Sequence, residues 1–194
     1  MPRVKTILGT ALTATLLLAQ SVAAKEASPS PAATPLYAPD DMVFALPYQI
    51  DGRLLSPTSR DGEWFVDQFG QEAARDLLIP MNREPDDIRA ATALPERNGD
   101  EPYLSLFAIR VDGIEGTRLT LPLTEMMFGT NGGADDDQQW DWIDIDGRAV
   151  LAIEVGDPPD PWVMAYPNGE VVVFVGGTGP DPIATMEAVL AELP

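Results

Sequence analysis

The residues whose types and spacing could support chemistry lie in the segment GGADDDQQWDWIDIDG, which carries six carboxylates and two tryptophans. It could be a metal site, a pair of catalytic acids, or a solvated loop that runs into a strand. A calcium-binding EF-hand loop places acids at positions 1, 3 and 5, glycine at 6 and glutamate at 12. With Gly147 at position 6, Asp144 and Asp146 fit, but Trp142 and Ile153 occupy positions 1 and 12. The EF-hand pattern is therefore incomplete.

The upstream part of this segment keeps a calcium site open as an alternative. GGADDD could hold a hard cation with backbone carbonyls and with the carboxylates of Asp135, Asp137 or Asp141. Loops rich in aspartate are common without a metal, so the match alone has a high false-positive risk. We therefore assign no metal ligand.

A hydrolase is the second alternative for the region Asp135–Asp146. In a strand, Asp144 and Asp146 would share one face beside Trp142, roughly 7 Å apart. Glycosidases use a carboxylate pair about 5–9.5 Å apart. A catalytic acid also needs a carboxyl group that is shielded from water, and both of these would lie beside a tight turn. We therefore assign no catalytic residue.

The third interpretation follows from strand periodicity. Alternation predicts that Ile143 and Ile145 face the core while Asp144 and Asp146 face solvent. The residues DDDQQ then form a charged surface loop. We favour this interpretation, which leaves the sequence without an assigned catalytic, cofactor-binding or metal-binding residue.

The composition excludes several function classes. The chain has no histidine and no cysteine. This excludes Ser-His-Asp and Cys-His hydrolases, Cys/His zinc sites, haem with His or Cys ligation, structural disulfides and a cysteine-linked lipid anchor. No P-loop motif GxxxxGK[ST] occurs. An enzyme built from this chain would depend on carboxylates, Tyr, Ser/Thr or Arg.

The N-terminal residues predict export. Arg3 and Lys5 precede an apolar stretch of about 14 residues, shorter than the ~20 that span a bilayer, and Val22-Ala23-Ala24 resembles a cleavage site. We expect residues 1–24 to be a signal peptide, with retention as an anchor as the alternative. Residues 25–41 are rich in Pro, Ala and Ser and predict a disordered spacer. Residues 42–194 then form one domain without a membrane span, in a secreted protein.

The net charge narrows the partners. The formal charge is −19 and becomes −21 once Arg3 and Lys5 leave with the signal peptide. Such a field repels phosphate backbones and anionic membrane surfaces, so nucleic acid is excluded as a partner. GGTGP (176–180) resembles a phosphate loop, but it lacks lysine and Pro180 lacks an amide donor. No cofactor is expected, and a protein partner remains open.

Turn and helix signals predict the architecture. IDGR occurs at residues 50–53 and 145–148, and Asp-Gly between apolar runs predicts two hairpins with type I′ turns. A first helix is predicted over 61–79, with an apolar stripe of Phe65, Phe69, Ala73 and Leu77. A second is predicted near Thr120–Phe128, because Pro122 suits only the first turn of a helix. A third is predicted after Asp181-Pro182, with an apolar stripe of Ile183, Met186, Val189, Leu190 and Leu193.

These elements indicate an α+β fold with a mainly antiparallel sheet and helices packed on one face. Two stretches of the chain follow a similar pattern: each begins PD, continues to Ala-x-Pro and then reaches an apolar strand that contains Phe107 or Phe174. This similarity suggests two degenerate β-β-α repeats, with halves about 42–128 and 140–194. Trp64 and Trp162 are predicted in the core. Arg110 is expected to pair with Asp112, and Arg53 and Arg148 are expected as exposed partners of nearby acids.

The motifs PDDIRAATALP and LSLFAIRVDGIEG, with the closing strand, helix and Leu-Pro end, resemble a group of exported proteins of high-GC bacteria. The resemblance covers roughly Asp86 to Pro194. It implies a signal peptide and spacer before a glycine-rich, two-part domain, and it implies no particular activity. The function expected is a secreted, acidic, non-catalytic binding or structural module.

Overall fold

The residues that the computed structural model describes are 41–95, 103–128, 140–153 and 161–194. The predicted signal peptide (1–24) and all of the predicted spacer except Asp41 lie outside them. Asp41 belongs with the domain, because its carboxylate accepts from the N–H of Val43 at the start of the 3-10 turn Met42–Ala45. None of the helices in these ranges is long and apolar enough to cross a membrane.

Nine strands and four α-helices form the described part of the chain. The strands are β1 Gln49–Ile50, β2 Arg53–Leu54, β3 Thr58–Asp61, β4 Ile88–Ala93, β5 Leu104–Val111, β6 Trp140–Ile145, β7 Arg148–Ile153, β8 Trp162–Asn168 and β9 Val171–Gly177. The helices are α1 Gly62–Phe69, α2 Gln71–Leu78, α3 Gly116–Phe128 and α4 Pro182–Glu192. Short 3-10 turns cover Ile79–Met81 and Pro85–Asp87.

Seven strands form one sheet in the order β3-β4-β5-β9-β8-β7-β6, and β1 pairs with β2 in a separate hairpin. Every pairing is antiparallel. The α+β class with a mainly antiparallel sheet is therefore confirmed. The central strands are β5 and β9, and β6 ends the sheet on one side.

The helices cover both faces of the sheet. Helices α1, α2 and α3 bury Phe65, Leu77 and Leu119 in one apolar cluster, and α4 buries Met186 and Leu190 in the other. The predicted packing on one face thus holds for three helices and not for α4. The cause lies in β5 and β9, which are apolar on nearly every residue and so need cover on both sides.

The predicted first helix is divided in two. Gly70, with φ +91°, separates α1 from α2 and lets the second helix change direction. As a result Ala74, Leu77 and Leu78 are buried in α2, whereas Ala73 of the predicted stripe is half-buried.

The middle helix begins at Gly116, earlier than the predicted start near Thr120. The N–H of Gly116 donates to the carbonyl of Gly169 (2.7 Å), and a Cβ at Gly116 would lie 2.6 Å from the Val171 oxygen, so this close approach fixes the helix start. Pro122 is inside the helix. Its missing N–H leaves the Arg118 carbonyl unpaired in the helix, which is tolerable because Arg118 is exposed to water.

The last helix is confirmed. Asp181 caps α4 by accepting from the N–H of Ala184 (3.0 Å), and Pro182 is its first residue. Of the predicted stripe, Met186, Val189 and Leu190 are buried, whereas Ile183 is 40% exposed.

Both predicted hairpins are present. Ile50 pairs with Arg53 and Ile145 with Arg148, and each Asp-Gly pair has positive φ at both positions, as a type I′ turn requires. The repeat is not confirmed. Its aligned alanines, Ala93 and Ala165, lie in opposite apolar clusters, and the helices that follow β5 and β9 lie on opposite faces.

Two threonines in α3 provide a matched test of buried hydroxyl groups. Thr124 is 1% exposed and its Oγ1 has no hydrogen-bond partner among the described residues, whereas the equally buried Thr120 donates from Oγ1 to the Gly116 carbonyl (2.8 Å). Replacing threonine with valine keeps the shape and nearly the same helix propensity. We expect Thr124→Val to raise the free energy of unfolding by about 1 kcal/mol and Thr120→Val to lower it by about 1 kcal/mol. Urea unfolding of both variants measures this, and equal shifts of one sign would contradict it.

Candidate functional site

The acidic segment is only partly within the described residues. Asp135 and Asp137 lie outside them, so the cation site kept open as an alternative for GGADDD is not tested there. Asp141, Asp144 and Asp146 are described, and all three are exposed. Across the described ranges, no three His, Cys, Asp or Glu side chains come together in a way that could hold a metal ion.

Asp144 and Asp146 have roles in the β6–β7 turn. The N–H of Gly147 donates to Asp144 Oδ1 (3.0 Å), and Asp146 takes the first left-handed turn position with φ 53°. Because Asp146 is in the turn, strand alternation does not place the two carboxylates side by side on one strand face. Ile145 is buried and Ile143 half-buried, as the alternation predicted.

Strand β6 forms an open edge of the sheet. Within the described residues it pairs only with β7. The two-residue turn makes Ile145 and Arg148 a hydrogen-bonded pair, and such pairs alternate along an antiparallel ladder. The N–H and C=O groups of Trp140, Trp142 and Asp144 therefore point away from β7. They are available to another strand.

Aromatic side chains line this edge on the face that carries α3. Phe128, the last residue of α3, lies 6.2 Å from the Trp140 ring and 6.3 Å from the Phe174 ring, centroid to centroid. Trp140 is half-buried by this contact, and Trp142, two residues further along, is 51% exposed. We call Trp140, Trp142, Asp144 and their outward main-chain groups the open edge.

The charge at the open edge is negative. In the part of the chain that the structure describes, none of Asp141, Asp144 and Asp146 forms a salt bridge. The nearby Arg148 does not neutralise them, because it donates to the Leu190 carbonyl and lies over the Tyr166 ring at 5.8 Å. Arg148 is half-buried at the C-terminal end of α4, where a cation is stabilised, so the prediction that its side chain is exposed is wrong.

The opposite edge of the sheet is shorter, and two of its polar side chains are engaged. Strand β3 has four residues. Ser59 donates to the Asp41 carboxylate, and Asp61 caps α1 by accepting from the N–H of Trp64 (3.0 Å). The two ends of the sheet thus differ, and the exposed tryptophan is at the β6 end.

A pocket of about 220 Å³ lies at the start of α4. Its lining includes Ile50, Leu104, Trp162, Asp51, Arg53 and Asp181. The pocket is smaller than the roughly 300–1,000 Å³ of most small-molecule sites. The amides of the first turn do not favour an anion there, because Asp181 already caps Ala184 and adds negative charge.

Four other predicted side chains can be placed. Trp162 is 6% exposed and belongs to the core, and Trp64 is half-buried against the other cluster. Arg110 pairs with Asp112 at 3.1 Å, as predicted. Arg53 lines the pocket and is half-buried, so the prediction that its side chain is exposed is wrong.

Comparison with protein-family models, curated proteins and solved structures finds no match for the chain. The candidate site is therefore argued from this structure alone. Sequence reasoning placed Trp142 at the first position of an incomplete EF-hand pattern and beside the two acids of the hydrolase alternative. It missed the open edge, because strand order within a sheet is set by long-range pairing and no local pattern in WDWIDI reports it.

Proposed function

We propose that the protein is a secreted, non-catalytic binding module that recognises a protein segment at the open edge. The observation that carries this proposal is the half-exposed Trp142 on a strand whose outward main-chain groups are unpaired in the described residues. Large exposed aromatic side chains are enriched at interfaces, where they often contribute about 2 kcal/mol or more of the binding free energy.

The main-chain groups of the open edge support the same proposal. An extended segment can pair with a free strand edge through main-chain hydrogen bonds while its side chains provide specificity. Secretion of the module rests on the signal-like residues 1–24 and on the acidic charge. Neither property requires a catalytic group.

The alternative is a carboxylate-based or calcium-dependent hydrolase that uses the region Asp135–Asp146. Such an enzyme needs two converging acids, one of them shielded from water. The described acids of this region are exposed, and the Asp144 carboxylate accepts a hydrogen bond of its own turn. No observation favours the alternative.

Selection from a displayed library of random peptides tests the proposed function. Peptides enriched on the wild-type protein are then measured against Trp142→Thr, which keeps a strand-forming residue but removes the indole. We expect binding to weaken by about thirtyfold, the equivalent of about 2 kcal/mol. The matched control is Leu54→Thr, because Leu54 is 66% exposed on the separate β1–β2 hairpin. Its affinity should equal that of the wild type.

Three outcomes would count against the proposal. Enriched peptides that bind Trp142→Thr as tightly as the wild type would place recognition elsewhere. Peptides recovered in cleaved form would favour the hydrolase. So would a calcium-dependent rise in the unfolding temperature that is lost when Asp135, Asp137 and Asp141 are replaced by asparagine.

A further inference from the structure

The arrangement of the open edge indicates what kind of segment it binds. We propose that the partner is a basic, extended peptide segment that adds to β6 as an eighth strand of the sheet, an inference that rests on the proposed function. Main-chain pairing, the exposed indole and the charge of the edge each contribute a separate argument.

The main chain sets the geometry of the partner. Trp140, Trp142 and Asp144 alternate with Ile143 and Ile145, whose N–H and C=O groups are used by β7. An added strand finds outward donors and acceptors at every second residue, as in other cases of strand addition. It must therefore be extended over about five residues and must have free amides at alternate positions. A helical or proline-interrupted segment does not meet this requirement.

The side chains of β6 favour arginine or lysine in the added strand. A residue opposite Trp142 would lie over or beside the exposed indole, where a guanidinium or ammonium group makes a cation–π contact. Its neighbour two residues along would lie near the Asp144 carboxylate. On the other face of the sheet, Asp141 is exposed and offers a second acidic contact. Basic residues are thus favoured on both faces of the partner strand.

A second copy of this chain is the competing occupant, and charge disfavours it. Pairing β6 with its own copy would bring Asp141 and Asp144 of both chains to one seam, and each chain carries a formal charge of −19. Natural proteins place charged residues on edge strands to prevent such self-pairing. The same carboxylates attract a basic segment. The negative charge of the edge therefore disfavours a second copy of the chain and favours a basic partner.

The experiment uses the full chain, labelled with ¹⁵N, and a synthetic peptide of about nine residues in which pairs of arginine alternate with pairs of valine, so that the extended strand carries arginine on both faces. We expect this peptide to bind at least about tenfold more tightly than the same peptide with glutamate in place of arginine. Its affinity should fall about tenfold between low and high salt. A version with proline at alternate positions should not bind. Hydrogen exchange of the Trp142 and Asp144 amides should slow at least about tenfold when the peptide is bound, because those amides gain partners. The amides of Ile143 and Ile145 should change little.

Charge variants separate electrostatic recognition from folding. Asp141→Asn with Asp144→Asn removes two charges, and the asparagine at 144 still offers an oxygen to the N–H of Gly147. We expect this double variant to bind the arginine peptide about tenfold more weakly. The control, Asp67→Asn with Glu72→Gln, removes two exposed acids from α1 and α2 and should leave the affinity within about twofold of the wild type.

The outcomes distinguish this inference from the proposed function. If binding of the library peptides depends on Trp142 but the arginine peptide does not bind, the proposed binding module is supported and the inference of a basic added strand is overturned. Equal affinity for the arginine and glutamate peptides would overturn it as well. So would binding without slower exchange at Trp142 and Asp144, because the segment would then not be an added strand. A concentration-dependent dimer that protects the same two amides would identify the second copy as the occupant instead.

Discussion

Replacing Gly62 with alanine is expected to lower the free energy of unfolding by at least about 3 kcal/mol, because the new Cβ would overlap the carbonyl oxygen of Pro85. Gly62 is the first residue of α1 and is buried where the helix crosses the 3-10 turn Pro85–Asp87. A backbone carbonyl has no rotamer to change, so the helix and the turn would have to separate. The helix propensity of alanine offers at most about 1 kcal/mol in return, which is too little to offset the overlap.

Urea and thermal unfolding of Gly62→Ala measure this effect. For a domain of this size the unfolding temperature should fall by roughly 6–12 °C. Glu63→Ala, at the next residue of the same helical turn, is exposed and should stay within about 0.5 kcal/mol of the wild type. If Gly62→Ala also stayed within about 1 kcal/mol, the close crossing of α1 and the turn would be wrong.

The local parts of this fold could be predicted from the sequence because their causes are local. The Asp-Gly turns need only two residues with positive φ between apolar runs, and the cap of α4 needs only Asp181 before Pro182. The burial alternation of β6 likewise follows from the side-chain period of two. In each case the residues that decide the structure are neighbours in the chain.

The predictions from the sequence were wrong where residues distant in the chain decide the structure. The break at Gly70 and the early start of α3 depend on how these segments pack on the sheet, and Gly116 is fixed by Gly169 and Val171, more than fifty positions away. The position of α4 on the second face follows from the two-sided burial of β5 and β9, which the apolar runs indicated but did not assign to a face.

The candidate site shows the same division. The exposure of Asp144 and Asp146 followed from alternation and from the adjacent turn. The open edge did not follow from the sequence, because a mainly apolar strand with two acids, such as WDWIDI, is compatible with an interior or an end position. The strand order places β6 at the end, and this placement puts the exposed Trp142 at the open edge, where we propose that a segment binds.

Phe174→Ala is expected to lower the free energy of unfolding by about 3–5 kcal/mol. Phe174 is 1% exposed on the central strand β9, pairs across the sheet with Phe107 and contacts the ring of Phe128. Removing its ring leaves a cavity between the sheet and α3. The two central strands are held by ladders on both sides and have little freedom to close that cavity, so the loss should lie in the upper part of the range.

Phe107→Ala is the matched control, because it removes the same ring from the directly paired position on the same sheet face. Phe107 is only half-buried, so part of its ring is already hydrated and its loss should cost less, about 1–3 kcal/mol. Chemical unfolding of both variants gives the comparison. A cost for Phe174→Ala no larger than that for Phe107→Ala would contradict the burial of the Phe174 ring.

Phe174→Ala also separates the stability of the domain from binding at the open edge. Strand β9 lies three strands from β6, which at about 4.8 Å per strand places Phe174 roughly 14 Å from the open edge. Its connection to that edge runs through Phe128 to Trp140 and not to Trp142. At a temperature where Phe174→Ala is still folded, its affinity for the arginine peptide should therefore stay within about threefold of the wild type, whereas Trp142→Thr loses the affinity and keeps the fold. A large loss of affinity in folded Phe174→Ala would mean that the aromatic contacts beneath α3 are part of the binding surface.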